Sequence, residues 1–318
     1  MEPVRRAVID VGTNSIKLLV ADVAAHGVTP VLEESKQTRL GRGFYETRRL
    51  QPEAIAQTAK AVGKFSELAR EHQAASIRVI ATSAARDAVN PQELTSALER
   101  VSGLKVEIIS GEQEADWVFQ GAATDPQLAG EALLLLDVGG GSTEFILGRG
   151  EHKHFRQSFP LGTVRLMERI PHSDPPAAQE LAACRQWLKE FLQNQVEPKL
   201  TPAMRREGKT MPGDGSVQLV GTGGAASILA RVEGQFDGYD RERIEATRLS
   251  LSRLKGHVRR FWSLPLQERK QIVGLPQNRA DVILTGAAIY EAIMEQFGFS
   301  QLRVTTRGLR FAVVMGNE

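Results

Sequence analysis

The chain has 318 residues, enough for two ordinary domains that each bury a core, and its 42% apolar and 25% charged content is that of a soluble globular protein. Forty basic residues against 38 acidic ones leave a net charge of +2, which argues against a general nucleic-acid binder. The single cysteine, Cys184, excludes an internal disulfide and suits a reducing compartment. No run approaches the roughly 18 apolar residues of a membrane span, and the N-terminus shows no secretory signal, so a cytoplasmic protein without membrane partners is expected.

Val4–Asp10 and Ile16–Val23 read as strands joined by a Gly/Ser loop, and residues 29–39 alternate loosely as a third. Pro52 opens a helical pattern (Ile55, Ala59, Val62, Phe65, Leu68, Ala69) that runs to about His72. Ile77–Ala81 is a short buried-type strand, followed by TSAARDAVN. Pro91–Val101 is a helix, Val106–Ser110 a strand and Glu112–Gly121 another helix, an alternation that argues for α/β layers. Thr124–Gly130 is the best boundary. The expected domains are 1–125 and 126–305, with the C-terminal helix, about 306–318, packing back on the first.

The second half repeats the opening order: Ala132–Asp137, a loop, Glu144–Leu147 and a strand around Lys153–Phe159. A long helix over about Pro176–Val196 makes Cys184 a buried spectator thiol. Residues 198–216, rich in Pro, Gly and charge, read as a flexible loop. Val217–Gly221 is a strand that GTGGAASIL turns into a helix. Asn278–Phe297 is a strong helix, Leu302–Thr305 a strand and Gly308–Val314 a final helix.

One short unit occurs twice. DVGTNSIKLLV (Asp10–Val20) returns 127 positions later as DVGGGSTEFIL (Asp137–Leu147). Each copy is an apolar strand ending in Asp, a loop of small residues and a second strand. Such a loop presents backbone N–H groups as an anion cradle, with an acid at its edge that can hold a metal. Two cradles facing one another would grip a polyphosphate from both sides. The loop residues Thr13, Asn14 and Ser15, and Gly139, Gly140, Gly141, Ser142 and Thr143, are therefore candidate phosphate ligands. Asp10 and Asp137 are candidate metal ligands, and Glu144 returns on the second hairpin toward the same place. Gly221–Ser227 is a further anion-binding turn, centred on Gly223. Lys17, Ser83, Arg86 and Arg279 lie near candidate loops or helix ends, and arginine forks suit phosphate oxygens. ISGEQEADWVFQGA places Glu112 and Glu114 at a helix start, where acids complement the helix dipole or one of them acts as a general base. Chemistry alone does not choose between them. No P-loop or kinase motif is present, and the histidines lack metal-ligand spacing.

Several of these segments together resemble the exopolyphosphatase/guanosine pentaphosphate phosphatase (Ppx/GppA) family. They are DVGTNSIKLLV, ATSAARDAVN, ISGEQEA, DVGGGSTEF, SFPLGTVRL, GTGGAAS and NRADVILTGA, in family order over nearly the whole chain. The resemblance implies an α/β, duplicated actin-like (ribonuclease H-like) ATPase-superfamily fold, with two domains flanking a cleft. It implies Glu114 as the catalytic base, Asp137 and Glu144 as metal-binding and water-orienting acids, and Asp10 as the first-loop acid. Lys17 stands where several members carry a phosphate-contacting arginine, and Arg86 matches the Thr-Ser-Ala…Arg segment. Gln113 departs from the family's usual acid. Ending at Glu318, the sequence matches the short two-domain form. The implied activity is Mg²⁺-dependent hydrolysis of the terminal phosphoanhydride of inorganic polyphosphate, with short chains preferred. Mn²⁺ is the alternative divalent ion, K⁺ a monovalent candidate, and a homodimer the expected assembly. The alternatives are a guanosine pentaphosphate phosphohydrolase making guanosine tetraphosphate, a non-hydrolytic nucleotide sensor, and a disfavoured kinase of the same superfamily.

Overall fold

The computed structural model describes residues 2–25, 27–150, 152–206 and 217–316. No helix among them is long and apolar enough to cross a membrane. Contacts divide the chain into two compact units. The first holds the chain up to Thr124, Gly139–Gly141 and the segment from Arg307; the second holds Asp125–Val138 and Ser142–Thr306.

In the first unit, β1 (Val4–Val11), β2 (Ser15–Ala24) and β3 (Gly27–Gln37) form an antiparallel meander. Strand β4 (Ser76–Ala81) joins β1 in parallel and β5 (Val106–Ile108) joins β4, giving the order β3-β2-β1-β4-β5. Strands β1 and β2 read as apolar runs because both their faces are covered: Ile9, Ile16, Leu18, Leu19 and Val20 are fully buried. The edge strand β3 carries Pro30, Glu33, Glu34 and Lys36, residues that discourage pairing with another chain. Helix Pro52–Glu71 starts on its proline and buries Ile55, Ala59, Val62, Phe65 and Ala69 into the core, the stripe visible in the sequence. The C-terminal helix Leu309–Met315 is tied to β1 by Arg6, whose guanidinium donates to the carbonyls of Val314, Met315 and Gly316 at 3.0–3.3 Å. Those carbonyls have no intrahelical donors of their own.

The second unit repeats the plan. Strands β6 (Ala132–Val138), β7 (Thr143–Arg149) and β8 (His152–Phe159) form the meander, and β9 (Gln218–Thr222) joins β6 in parallel. An added edge strand β10 (Arg248–Ser250) pairs antiparallel with β11 (Gln301–Val304), which lies parallel to β9. The sheet order, β8-β7-β6-β9-β11-β10, retraces the first sheet with one strand more. This is the duplicated actin-like α/β fold.

Two elements differ from the sequence reading. The expected loop at 198–216 begins as helix Glu197–Arg206, and residues 207–216 lie outside the described residues. Its cause is a stripe of buried residues at every fourth position: Cys184, Leu188, Leu192, Val196, Leu200 and Met204. A period of four drifts against 3.6 residues per turn, and the π-type turn Leu192–Val196 unwinds the helix where the drift accumulates. The helix expected from Asn278 starts only at Ile283, after a 3₁₀ turn at Gln277–Arg279. Arg269 explains the delay. Its buried guanidinium donates hydrogen bonds to the carbonyls of Ala280, Phe261 and Leu264, so the Ala280 carbonyl is engaged away from a helical ladder.

Gly121, in helix Gly111–Ala123, lies against the backbone of Gly308, and a Cβ there would overlap its carbonyl. Gly121→Ala is therefore expected to destabilise the fold by about 1–3 kcal/mol or more, read by urea unfolding, because backbone cannot yield as a side chain can. An unchanged midpoint would contradict this packing.

Candidate active site

In the first unit the Asp10 end of β1 leads into the loop Gly12–Asn14, whose carbonyls are held from one side. The amides of Thr38 and Arg39 donate to the Asn14 carbonyl at 3.2 and 3.0 Å, and that of Gly41 to the Thr13 carbonyl at 2.8 Å. The side chain of Gln37 donates to Asn14 Oδ1 at 3.1 Å. With its carbonyls engaged, the loop suits an anion on its N–H side. The hydroxyls of Thr13 and Ser83 are buried and have no hydrogen-bond partner among the described residues. Both converge on Gly141, which counts with this unit: a Cβ at position 141 would crowd Ser83 Oγ and Thr13 Oγ1. Gly140 packs on Thr13 in the same way. Buried hydroxyls without partners are unfavourable, and such donors suit phosphate oxygens.

Lys17 lies directly across the hairpin from Asp10. Burial pushes the Asp10 carboxyl above the usual carboxylate range, against the pull of Lys17 and Arg310, although part of its surface stays exposed. Arg310 itself donates to the Leu18 carbonyl at 2.8 Å and reaches Glu33 at 3.3 Å.

The two glutamates left open by chemistry are separated by the structure. Ser110 caps helix Gly111–Ala123 by accepting from the Gln113 amide at 3.1 Å, which fixes the first turn. Glu112 then faces solvent, whereas Glu114 is buried. Arg86, at the end of helix Ser83–Asp87, donates to Glu114 Oε2 at 2.9 Å and to the Ile109 carbonyl at 3.0 Å. Arg86 therefore pairs with Glu114.

In the second unit Asp137 sits opposite Glu144 on β7 and opposite Thr222 on β9. Glu144 is 1% exposed and accepts from Ser158 Oγ at 2.7 Å. Gly223 opens helix Gly223–Gly234 at φ +82°, and a Cβ there would strike Asp137 Oδ1. Only glycine meets both demands. The Tyr290 hydroxyl approaches the Thr222 carbonyl at 3.4 Å, and burial, then the nearby Asp137 charge, push its phenol well above its ordinary value. Ser142 and Thr143 are buried, and the Thr143 hydroxyl is spent on the Leu161 carbonyl. Arg279 lies in the turn anchored through Ala280 by Arg269, a buried residue that its surface-type chemistry hides in a sequence.

Among the described residues no three acids, histidines or cysteines are grouped as a metal cage. The acidic pair is Asp137 and Glu144. Like charges directly opposite across a hairpin repel, so this pair is chemically suited to a divalent cation. In the first unit the matching positions are Asp10 and Lys17, where the chain supplies the cation itself.

A duplicated actin-like fold with these loops defines a protein that handles phosphate groups. The chain belongs to the Ppx/GppA phosphatase family, whose profile matches residues 19–318. It is 36% identical over 315 residues to exopolyphosphatase 2 of Mycobacterium tuberculosis, an alignment covering 95% of this chain and 94% of that protein. The solved Ppx/GppA structure of Aquifex aeolicus is similar at 30% identity and a TM-score of 0.77, covering 98% and 97% of the two chains. An exopolyphosphatase structure from Cytophaga hutchinsonii is similar at 26% identity and a TM-score of 0.83, covering 97% and 96%.

Removing Arg86 would take from the buried Glu114 carboxylate the hydrogen bond that Arg86 Nη1 donates. Arg86→Ala is expected to lower stability by about 1–3 kcal/mol in urea melts, and Glu114→Gln in the same chain to recover part of that loss. Strictly additive losses would show that the two side chains do not act as a pair.

Proposed function

We propose that this protein is an exopolyphosphatase: it hydrolyses the terminal phosphoanhydride of inorganic polyphosphate and releases orthophosphate, with short chains preferred. The observation that carries the reading is Glu114, buried and held by Arg86 in the same unit as the partnerless hydroxyls of Thr13 and Ser83. A fixed carboxylate suits a general base, and hydroxyl donors suit the oxygens of a phosphate chain. The relatives named exopolyphosphatases support the same reading.

Thr13 and Ser83 donate to phosphate oxygens, joined by the N–H groups of the loops around Thr13–Ser15 and Gly139–Thr143. Lys17, Arg279 and the turn at Gly223 add to the hold on the chain. Glu114 takes a proton from the attacking water as the bond from the terminal phosphorus to its bridging oxygen breaks. The electron pair stays on that oxygen, and the chain leaves one phosphate shorter. Asp137 and Glu144 would hold Mg²⁺ or Mn²⁺, which supplies neutralisation of phosphate charge when bound, whereas Asp10 lies opposite Lys17. Phosphoryl transfer needs mainly positioning and charge stabilisation from a protein.

Purified protein with Mg²⁺ is to be offered tripolyphosphate, long polyphosphate, guanosine pentaphosphate and ATP in parallel. Orthophosphate is expected from the inorganic chains, fastest from the short ones, and Glu114→Gln is expected to slow turnover by about 10²–10⁴-fold. Release from ATP alone, or near-normal turnover by Glu114→Gln, would contradict the proposal.

A further inference from the structure

Two strand arginines of the first sheet meet acids. Arg5 lies opposite Asp22 and donates to its carboxylate at 2.8 and 3.0 Å, and Arg78 donates to Glu107 on the neighbouring strand at 3.0 and 2.9 Å. The second sheet differs at its edge. There Arg248 on β10 lies directly opposite Arg303 on β11, so two guanidinium-bearing side chains share one face. Neither has a carboxylate partner among the described residues.

The hydrogen bonds of Arg248 all come from Nη1, which donates to the carbonyls of Glu245 and Thr247 at 2.8 and 3.0 Å. Its Nε and Nη2 N–H groups have no partner among the described residues. Arg303 is steadied from the other side. It donates to Gln127 Oε1 at 2.8 Å, and more loosely to the Gln127 carbonyl and Gln218 Oε1 at 3.3 and 3.4 Å. Two acids of the same unit are engaged otherwise: Asp125 accepts from the Gln127 amide at 3.0 Å, and Glu131 from Gln218 Nε2 at 3.2 Å. Burial, then the Arg303 charge, hold the Arg248 guanidinium below its ordinary value, against the pull of Asp125.

The two arginines line a cavity of about 160 Å³, together with Gln218, Phe299, Ser300 and Gln301. That is room for several waters or one small anion. Gln218 opens β9, whereas Thr222, opposite Asp137, ends it. The cavity therefore lies four residues along the strand, roughly 13 Å, from the Asp137 end of the sheet. We infer that this cavity is a binding site for a small, doubly charged oxyanion, of which inorganic phosphate is the simplest, held between the Arg248 and Arg303 guanidinium groups. A dianion neutralises both charges at once, and guanidinium N–H groups match its oxygens in pairs. The site does not depend on the hydrolytic reading.

The test is a calorimetric titration of inorganic phosphate into wild type, Arg248→Gln and Arg303→Gln at constant ionic strength, with acetate as the singly charged control. Wild type is expected to bind one phosphate per chain that either variant binds about tenfold more weakly or not at all. The double variant is expected to lose no more than each single one, because one anion spans both side chains. Melting curves separate this from a structural role. Without phosphate, Arg248→Gln is expected to melt at or above the wild-type temperature, since a like-charge repulsion has gone, and the rise that phosphate gives wild type is expected to shrink. Equal phosphate binding by wild type and Arg248→Gln would overturn the site. Acetate bound as tightly as phosphate would overturn the bridging dianion.

Discussion

In an antiparallel hairpin, two residues directly opposite one another put their side chains on the same face, and the register decides which residues those are. Both copies of the repeated hairpin carry Asp one residue before the end of their first strand, and in both the residue seven positions later lies straight across. That residue is Lys17 in one copy and Glu144 in the other. The first acid therefore lies opposite a cation of the protein's own and the second opposite another acid, a pair that in the proposed reading takes a cation from solution. One backbone plan, used twice, yields two electrostatic environments from a single change of residue type. The flanking groups follow from this. Gly223 leaves room for Asp137, and Ser158 steadies Glu144 from the next strand.

The loops divide the work differently. Their glycines serve less as flexible links than as absent side chains. At position 141 the missing Cβ lets the hydroxyls of Thr13, Ser83 and Tyr45 pack close, and at 121 it admits the backbone of Gly308. Glu114 lies outside the repeat, on a helix whose first turn Ser110 fixes and whose carboxylate Arg86 holds. In the proposed reaction the loops bind the phosphate chain, and a carboxylate positioned independently of them moves the proton.

Much of this was legible in the sequence. Both meanders, helix Pro52–Glu71 and the position of Glu114 followed from periodicity, turn residues and a family-like motif. What stayed hidden depended on contacts distant in sequence. Arg269 reads as a surface residue, because nothing local shows that three carbonyls wait for it in the core. Helix Glu197–Arg206 was masked by its prolines, although the four-residue stripe from Cys184 to Met204 could have exposed it. Tyr45 carries no motif signal. Only the fold brings it to Gly141.

Replacing Glu144 with lysine would give the second hairpin the residue pair of the first, at the same register and on the same face. The most direct test is a calorimetric titration of Mg²⁺ into wild type and Glu144→Lys, with melting curves confirming that both are folded. The account predicts that wild type binds Mg²⁺ and that the variant, carrying its own cation opposite Asp137, has lost that binding. Equal Mg²⁺ affinity in the two proteins would contradict the division of labour between the hairpins.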